Sequence, residues 1–187
     1  MSLLRLELLL PTLAALLATF LPQPSAPPAG TAPPGTTPQA TTWPVGTRPA
    51  VVRGWDPPAT DYTAGHRGVD LSAPAGTPVR AIAPGRVSFA GRVAGRGVVS
   101  VELDGTGDPP LRTTYEPVRA TLKKGAEVEA GDAVGILDIP TGHCPGSCLH
   151  WGLLRSETYL NPLTLLAPWL LRQGPSRLLP MAGTPPW

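Results

Sequence analysis

At 187 residues the chain has room for one ordinary domain and its appendages, not for two full domains. Gly (21) and Pro (26) supply about a quarter of it and charged residues only 15%, a composition that breaks helical bundles and suits a turn-rich β domain. A net charge of +2, with Lys123 and Lys124 the sole lysines, provides no basic stripe to neutralise phosphates and argues against nucleic acid as a partner.

The first element is an apolar stretch at residues 8–21, behind Arg5 and interrupted by Pro11. It falls short of the roughly 20 apolar residues that a spanning helix needs. Residues 1–26 are therefore expected to be an export signal, either cleaved or kept as a membrane tether. Residues 27–49 follow as a Pro-rich linker, too poor in apolar area to offset its own ordering entropy. Residues 50–172 form the expected domain, and 173–187, again rich in proline, a flexible tail.

Inside the domain the apolar runs are short and bounded by glycine. PVRAIA (78–83), GRVSFAGR (85–92), GVVSVEL (97–103), LRTTYEP (111–117), DAVGILD (132–138) and LHWGLLR (149–155) read as strands. Turns fall at Pro84-Gly85, Arg96-Gly97, Asp104-Gly105 and Ala130-Gly131. A helix is expected over 162–171, with Pro168 bending or ending it. Two segments echo one another: Gly76-Thr-Pro-Val79 followed by Gly85-Arg-Val87, and Gly125-Ala-Glu-Val128 followed by Gly131-Asp-Ala-Val134. Duplicated hairpins of this kind suit two antiparallel sheets. The expected fold is all-β, an antiparallel β-sandwich or hybrid-barrel core with one short C-terminal helix.

The chain has three histidines and two cysteines, and their placement carries the chemistry. GHRGVD (65–70) supplies His66 and Asp70; HCPGSCLHWG (143–152) supplies His150. Two imidazoles and one carboxylate, with water in the fourth place, are a common composition for a catalytic zinc site. A His four residues before an Asp is also frequent without any metal, so spacing alone leaves a metal site and an ordinary pair of histidines both open.

GHRGVDLSAPAGTPVRAIAPGRV resembles the signature of the lysostaphin/LytM-type zinc endopeptidases, which cut peptide cross-links in bacterial peptidoglycan. KKGAEVEAGDAVGIL is similar to that family's later hairpin and CLHWGLL to its final His-x-His strand, so the likeness runs from about Trp55 to Leu166. The resemblance implies Zn2+ as cofactor, His66, Asp70 and His150 as its ligands, and peptidoglycan stem or cross-bridge peptides as partners. It also implies an extracytoplasmic, secreted or envelope location.

The chain departs from that pattern at two places. The family's Tyr-x-His strand is matched by Tyr115-Glu116-Pro117, and the first histidine of His-x-His by Cys148, so Pro117 and Cys148 stand where the two non-ligand histidines belong. Cys148 and His150, two apart on one strand, are expected to project into one site. Cys144 and Cys148 bracket a Pro-Gly turn, and export permits oxidation; a disulfide is the favoured state, with two thiols and zinc ligation as alternatives. His143, beside that loop, is the candidate stand-in for the proton-handling histidines. Strand alternation, counted from the vacant position, places Tyr115 on the site face and Glu116 on the opposite one.

The other conspicuous residues have ordinary readings. Trp43 and Trp55 cover a sheet edge or the linker junction, Trp169 and its leucines close the core, and Arg53, Arg67, Arg80, Arg86, Arg92 and Arg96 are solvated surface. Two functions follow. One is an exported zinc metalloendopeptidase, with zinc-activated water as nucleophile. The alternative is a catalytically degenerate zinc-binding module that recognises the wall or activates another cell-wall hydrolase. A lipoyl- or biotinyl-carrier reading of the KKGAEVEAGDAVGIL hairpin fails, because neither Lys123 nor Lys124 sits at its tip.

Overall fold

The computed structural model describes residues 39–60, 63–139, 144 and 146–172. The expected signal, the linker up to residue 38, the tail and His143 lie outside them. Among the described residues eleven strands run in chain order: β1 (Val51–Arg53), β2 (Gly68–Ser72), β3 (Pro78–Arg80), β4 (Gly85–Val93), β5 (Arg96–Leu103), β6 (Leu111–Glu116), β7 (Val118–Ala120), β8 (Glu127–Val128), β9 (Ala133–Leu137), β10 (Cys148–Arg155) and β11 (Thr158–Leu160). The fold is all-β. The larger sheet has the order β1-β2-β10-β6-β5-β4-β8, with β11 added to β10, and the smaller the order β3-β9-β7. Both are open and antiparallel among the described residues.

The echo in the sequence is a swap in space. The first strand of each segment pairs with the second strand of the other: β3 with β9 in the small sheet, β8 with β4 in the large one. The same contact occurs twice, as the Gly76 N–H donates to the Leu137 carbonyl at 2.9 Å and the Gly125 N–H to the Val87 carbonyl at 2.8 Å. Gly76 and Gly125 enter the two hairpins at φ of 85° and 91°, a left-handed turn position that favours glycine. Val79, Val87, Val128 and Val134 all point inward and are buried.

Alternation sets the two faces of the large sheet. On β6, Leu111, Thr113 and Tyr115 are buried while Arg112, Thr114 and Glu116 are only partly covered. On β10, Leu149, Trp151 and Leu153 enter the core. The Trp151 indole N–H donates to Thr113 Oγ1 at 2.7 Å, and that hydroxyl donates to the Gly152 carbonyl, so the buried polar atoms there are paired.

The structure departs from the expected boundaries at three points. Residues 39–49, assigned to the linker, pack on the domain: Ala40, Trp43 and Val45 are buried. Ala40 is held by hydrogen bonds to Leu165 and Ala167, and Trp43 lies edge-on to Trp151 at 6.5 Å. A proline-rich segment can be ordered when a ready-made apolar surface receives its few large side chains. The expected 162–171 helix is two pieces, a 3-10 turn at Pro162–Leu165 and one α-turn, α1 (Pro168–Leu171), because Pro168 has no N–H with which to continue the first. Trp169 does not close the core; it is 60% exposed, and Leu165, Leu166 and Leu170 fill that place.

Candidate metal centre

Register brings the polar residues together. Across β1, β2, β10 and β6, Arg53 pairs with Asp70, Asp70 with His150, and His150 with Glu116, one row of four side chains across four strands. His66 precedes β2 and is fixed by the chain that follows β1. Its backbone exchanges hydrogen bonds with Asp56, and its Nδ1 lies 2.6 Å from the Gly54 carbonyl. A carbonyl only accepts, so Nδ1 carries the proton and the lone pair of the neutral ring is at Nε2.

That lone pair meets two others. His66 Nε2 lies 3.1 Å from Asp70 Oδ1 and 3.1 Å from His150 Nδ1, which is 2.8 Å from the same carboxylate oxygen. His66 and Asp70 are buried and His150 is nearly so. Two ring nitrogens and a carboxylate oxygen facing one another are matched by a proton or a metal ion among them. Ligands 2.0–2.2 Å from a tetrahedral zinc stand a little over 3 Å apart, so the donor set and its spacing fit zinc. The Gly54 contact is of the kind that orients a metal-binding imidazole from outside. Gly68 makes room for the ring: a Cβ there would come within 2.5 Å of the Trp151 carbonyl and 2.7 Å of His150 Nε2.

The two cysteines form a disulfide, with α-carbons 6.3 Å apart. Their sulfurs and the Asp70 carboxylate lie within 4.8 Å of one another, so the bridge abuts the cluster. A bridged sulfur is not a thiolate, and zinc ligation by Cys148 is excluded in this state.

The centre opens into a cavity of about 410 Å³ whose walls include Arg53, Arg67, Arg96, Glu116, His66 and His150. A second cavity of about 600 Å³ continues from it along the sheet, sharing Val93, Val98, Thr114 and Tyr159 and reaching Phe89 and Lys124. Arg67 lies over the Tyr159 ring at 5.8 Å, and Arg96 Nε is 3.8 Å from Glu116 Oε2. Three arginines expected to be plain surface thus face the groove, whereas Arg80 and Arg92 serve turn carbonyls.

The expected facing of β6 is reversed. Tyr115 is in the core, where burial pushes its phenol pKa well above the usual value, so it stays protonated and away from the groove. Glu116 is on the groove side beside His150. The expectation extended alternation back from Pro117, but Pro117 lies past the last residue of β6, and the core residues Leu111, Thr113 and Tyr115 set the phase. The signal was present in the apolar spacing of LRTTYE.

Comparison with known proteins agrees with this picture. The chain is 41% identical over 143 residues to an uncharacterized protein of Mycobacterium tuberculosis, covering 72% of this chain and 53% of that one. It is 32% identical over 103 residues to the DD-carboxypeptidase/endopeptidase Mpg of Neisseria meningitidis, covering 55% and 23%. The chain thus spans about half the length, or less, of these curated relatives. The catalytic domain of the antimicrobial peptidase lysostaphin from Staphylococcus simulans shares the fold, with a TM-score of 0.53, 24% identity and 66% and 93% of the two chains covered. The model of peptidase family M23 matches residues 64–162, more than half of the sequence, and the chain belongs to that family.

Proposed function

We propose that the protein is an exported zinc peptidase that acts on the peptides of bacterial peptidoglycan. The observation that carries this reading is the convergence of His66 Nε2, Asp70 Oδ1 and His150 Nδ1 at the head of an open groove, in a chain of family M23. When bound there, zinc supplies Lewis acidity, which polarises a peptide carbonyl and makes water a nucleophile near neutral pH. His66, Asp70 and His150 hold the ion. The groove along β5, β6 and β10 takes an extended peptide, and Arg53, Arg67 and Arg96 give its wall a positive potential that attracts peptides carrying carboxylates. The name of the Neisseria relative, a carboxypeptidase and endopeptidase, supports a peptide substrate. The apolar leader at residues 8–21 supports export, and so does the disulfide, which persists in oxidising compartments.

A second reading has its own observation. Pro117 and the bridged Cys148 occupy both places that the resemblance assigns to proton-handling histidines, which favours a module that binds wall peptides, or activates another hydrolase, without turnover. Purified protein loaded with zinc and incubated with peptidoglycan separates the two. Release of free amines, absent in His66→Ala, is the expected result; binding of peptidoglycan without release identifies the module.

A further inference from the structure

We propose that Glu116 is the general base of this protein, taking the part that the absent histidines leave open; the assignment rests on the peptidase reading above. Three observations place it. Glu116 is the cross-strand neighbour of His150, in the row that also holds Asp70. Directly opposed residues of antiparallel strands have Cβ atoms about 4.5–5.5 Å apart and share a face. Glu116 lines the same cavity as His66 and His150. It is also held: Arg96 Nε is 3.8 Å from Oε2, and the side chain is 23% exposed, so it is reachable from the groove without being loose in solvent.

Among the described residues, the alternatives nearby do not compete. Tyr115 is buried on the other face, Cys148 is bridged, and Pro117 has no group to accept a proton. Asp70 is committed to the two histidines at 2.8 and 3.1 Å. Among the described residues that line this cavity, Glu116 is the carboxylate outside the ligand set.

The chemistry balances. A water molecule in the groove forms a C–O bond with the scissile carbonyl carbon while one of its protons passes to a Glu116 carboxylate oxygen. The carboxylic acid then returns that proton to the amide nitrogen as the C–N bond breaks. The products are a carboxyl group and an amine, and Glu116 ends ionised as it began. Arg96 is a positioning residue, aiming the carboxylate across the sheet rather than touching the reacting atoms.

The test uses the full chain loaded with zinc, together with Glu116→Gln, Glu116→Asp and Glu116→Ala. Metal content is measured for each, along with binding of a phosphinic peptide that mimics the tetrahedral state and amine release from peptidoglycan. Glu116→Gln is expected to keep its zinc and its KM and to lose roughly 10²-fold or more in kcat. Glu116→Asp should retain part of the rate. Added formate should restore some turnover to Glu116→Ala, a rescue that a merely structural role would not show. The phosphinic peptide should bind Glu116→Gln more weakly than the parent, because the protonated base no longer faces the tetrahedral oxygen. A parent that cleaves while Glu116→Gln cleaves equally well, with zinc bound in both, overturns the assignment and leaves the peptidase reading intact. A parent that holds zinc yet releases no amine overturns both.

Discussion

The two ends of the large sheet are built on opposite principles. At the β4–β8 end the sequence repeats itself, the hydrogen bond from Gly125 to Val87 has its copy in the small sheet from Gly76 to Leu137, and Val87 and Val128 are buried. At the β2–β10 end nothing repeats, and two histidines and an aspartate are withdrawn from water. Burying polar groups costs free energy unless they are paired, whereas burying valine contributes roughly 1.5–3 kcal/mol per side chain. The repeated end therefore stabilises a fold whose other end is spent on chemistry. The difference teaches that the two can be damaged separately.

The largest separation is expected from His66→Ala. It should remove the bound zinc altogether and abolish any peptide cleavage, while near-ultraviolet circular dichroism still reports the packed tryptophans Trp43 and Trp151. Retention of zinc with unchanged affinity would show that the cluster is not the metal site. The opposite experiment is Val87→Ala, on β4 and fully buried. It should cost about 2 kcal/mol in chemical denaturation with zinc stoichiometry untouched. Loss of metal in that variant would mean that the two ends are coupled after all.

The disulfide lies at the β2–β10 end, beside Asp70. Reducing it should lower stability by roughly 2 kcal/mol at most, since the closed loop is short. Mass spectrometry of unreduced protein treated with alkylating agent should find no added mass on Cys144 or Cys148. The smallest effect concerns Tyr115. Its pKa is raised in the folded state, so folding is favoured by the proton the phenol keeps. That contribution is complete below the unfolded phenol's value of about 10 and declines as pH rises through the higher folded one. Tyr115→Phe should flatten the alkaline limb of the stability curve and leave neutral pH nearly unchanged.

Much of this architecture was legible in the residues. Five of the apolar runs became β4, β5, β6, β9 and β10 because each has enough side chains to define an inner face on its own. The short strands β1, β3, β7, β8 and β11 carry two or three residues each and are strands only because a partner edge takes their backbone hydrogen bonds. The burial of 39–49 escaped for a related reason: a lone Trp43 among prolines has no period, and the surface that receives it exists only once β10 has folded.

The candidate site divides in the same way. His66, Asp70 and His150 could be singled out because few residue types perform such chemistry and because their surroundings resemble a known signature. Cys144 and Cys148 were likewise marked by their Pro-Gly turn. What sequence by itself determined, then, is the inventory: which donors exist, which strands carry them, and that two hairpins would be alike. Only the tertiary structure decided their facing and pairing. A strand offers two equivalent sides until a core forms against one, and a slip of one residue exchanges them. Packing Tyr115 inward settled that choice for β6, and with it placed Glu116, rather than the tyrosine, beside His150 in the groove.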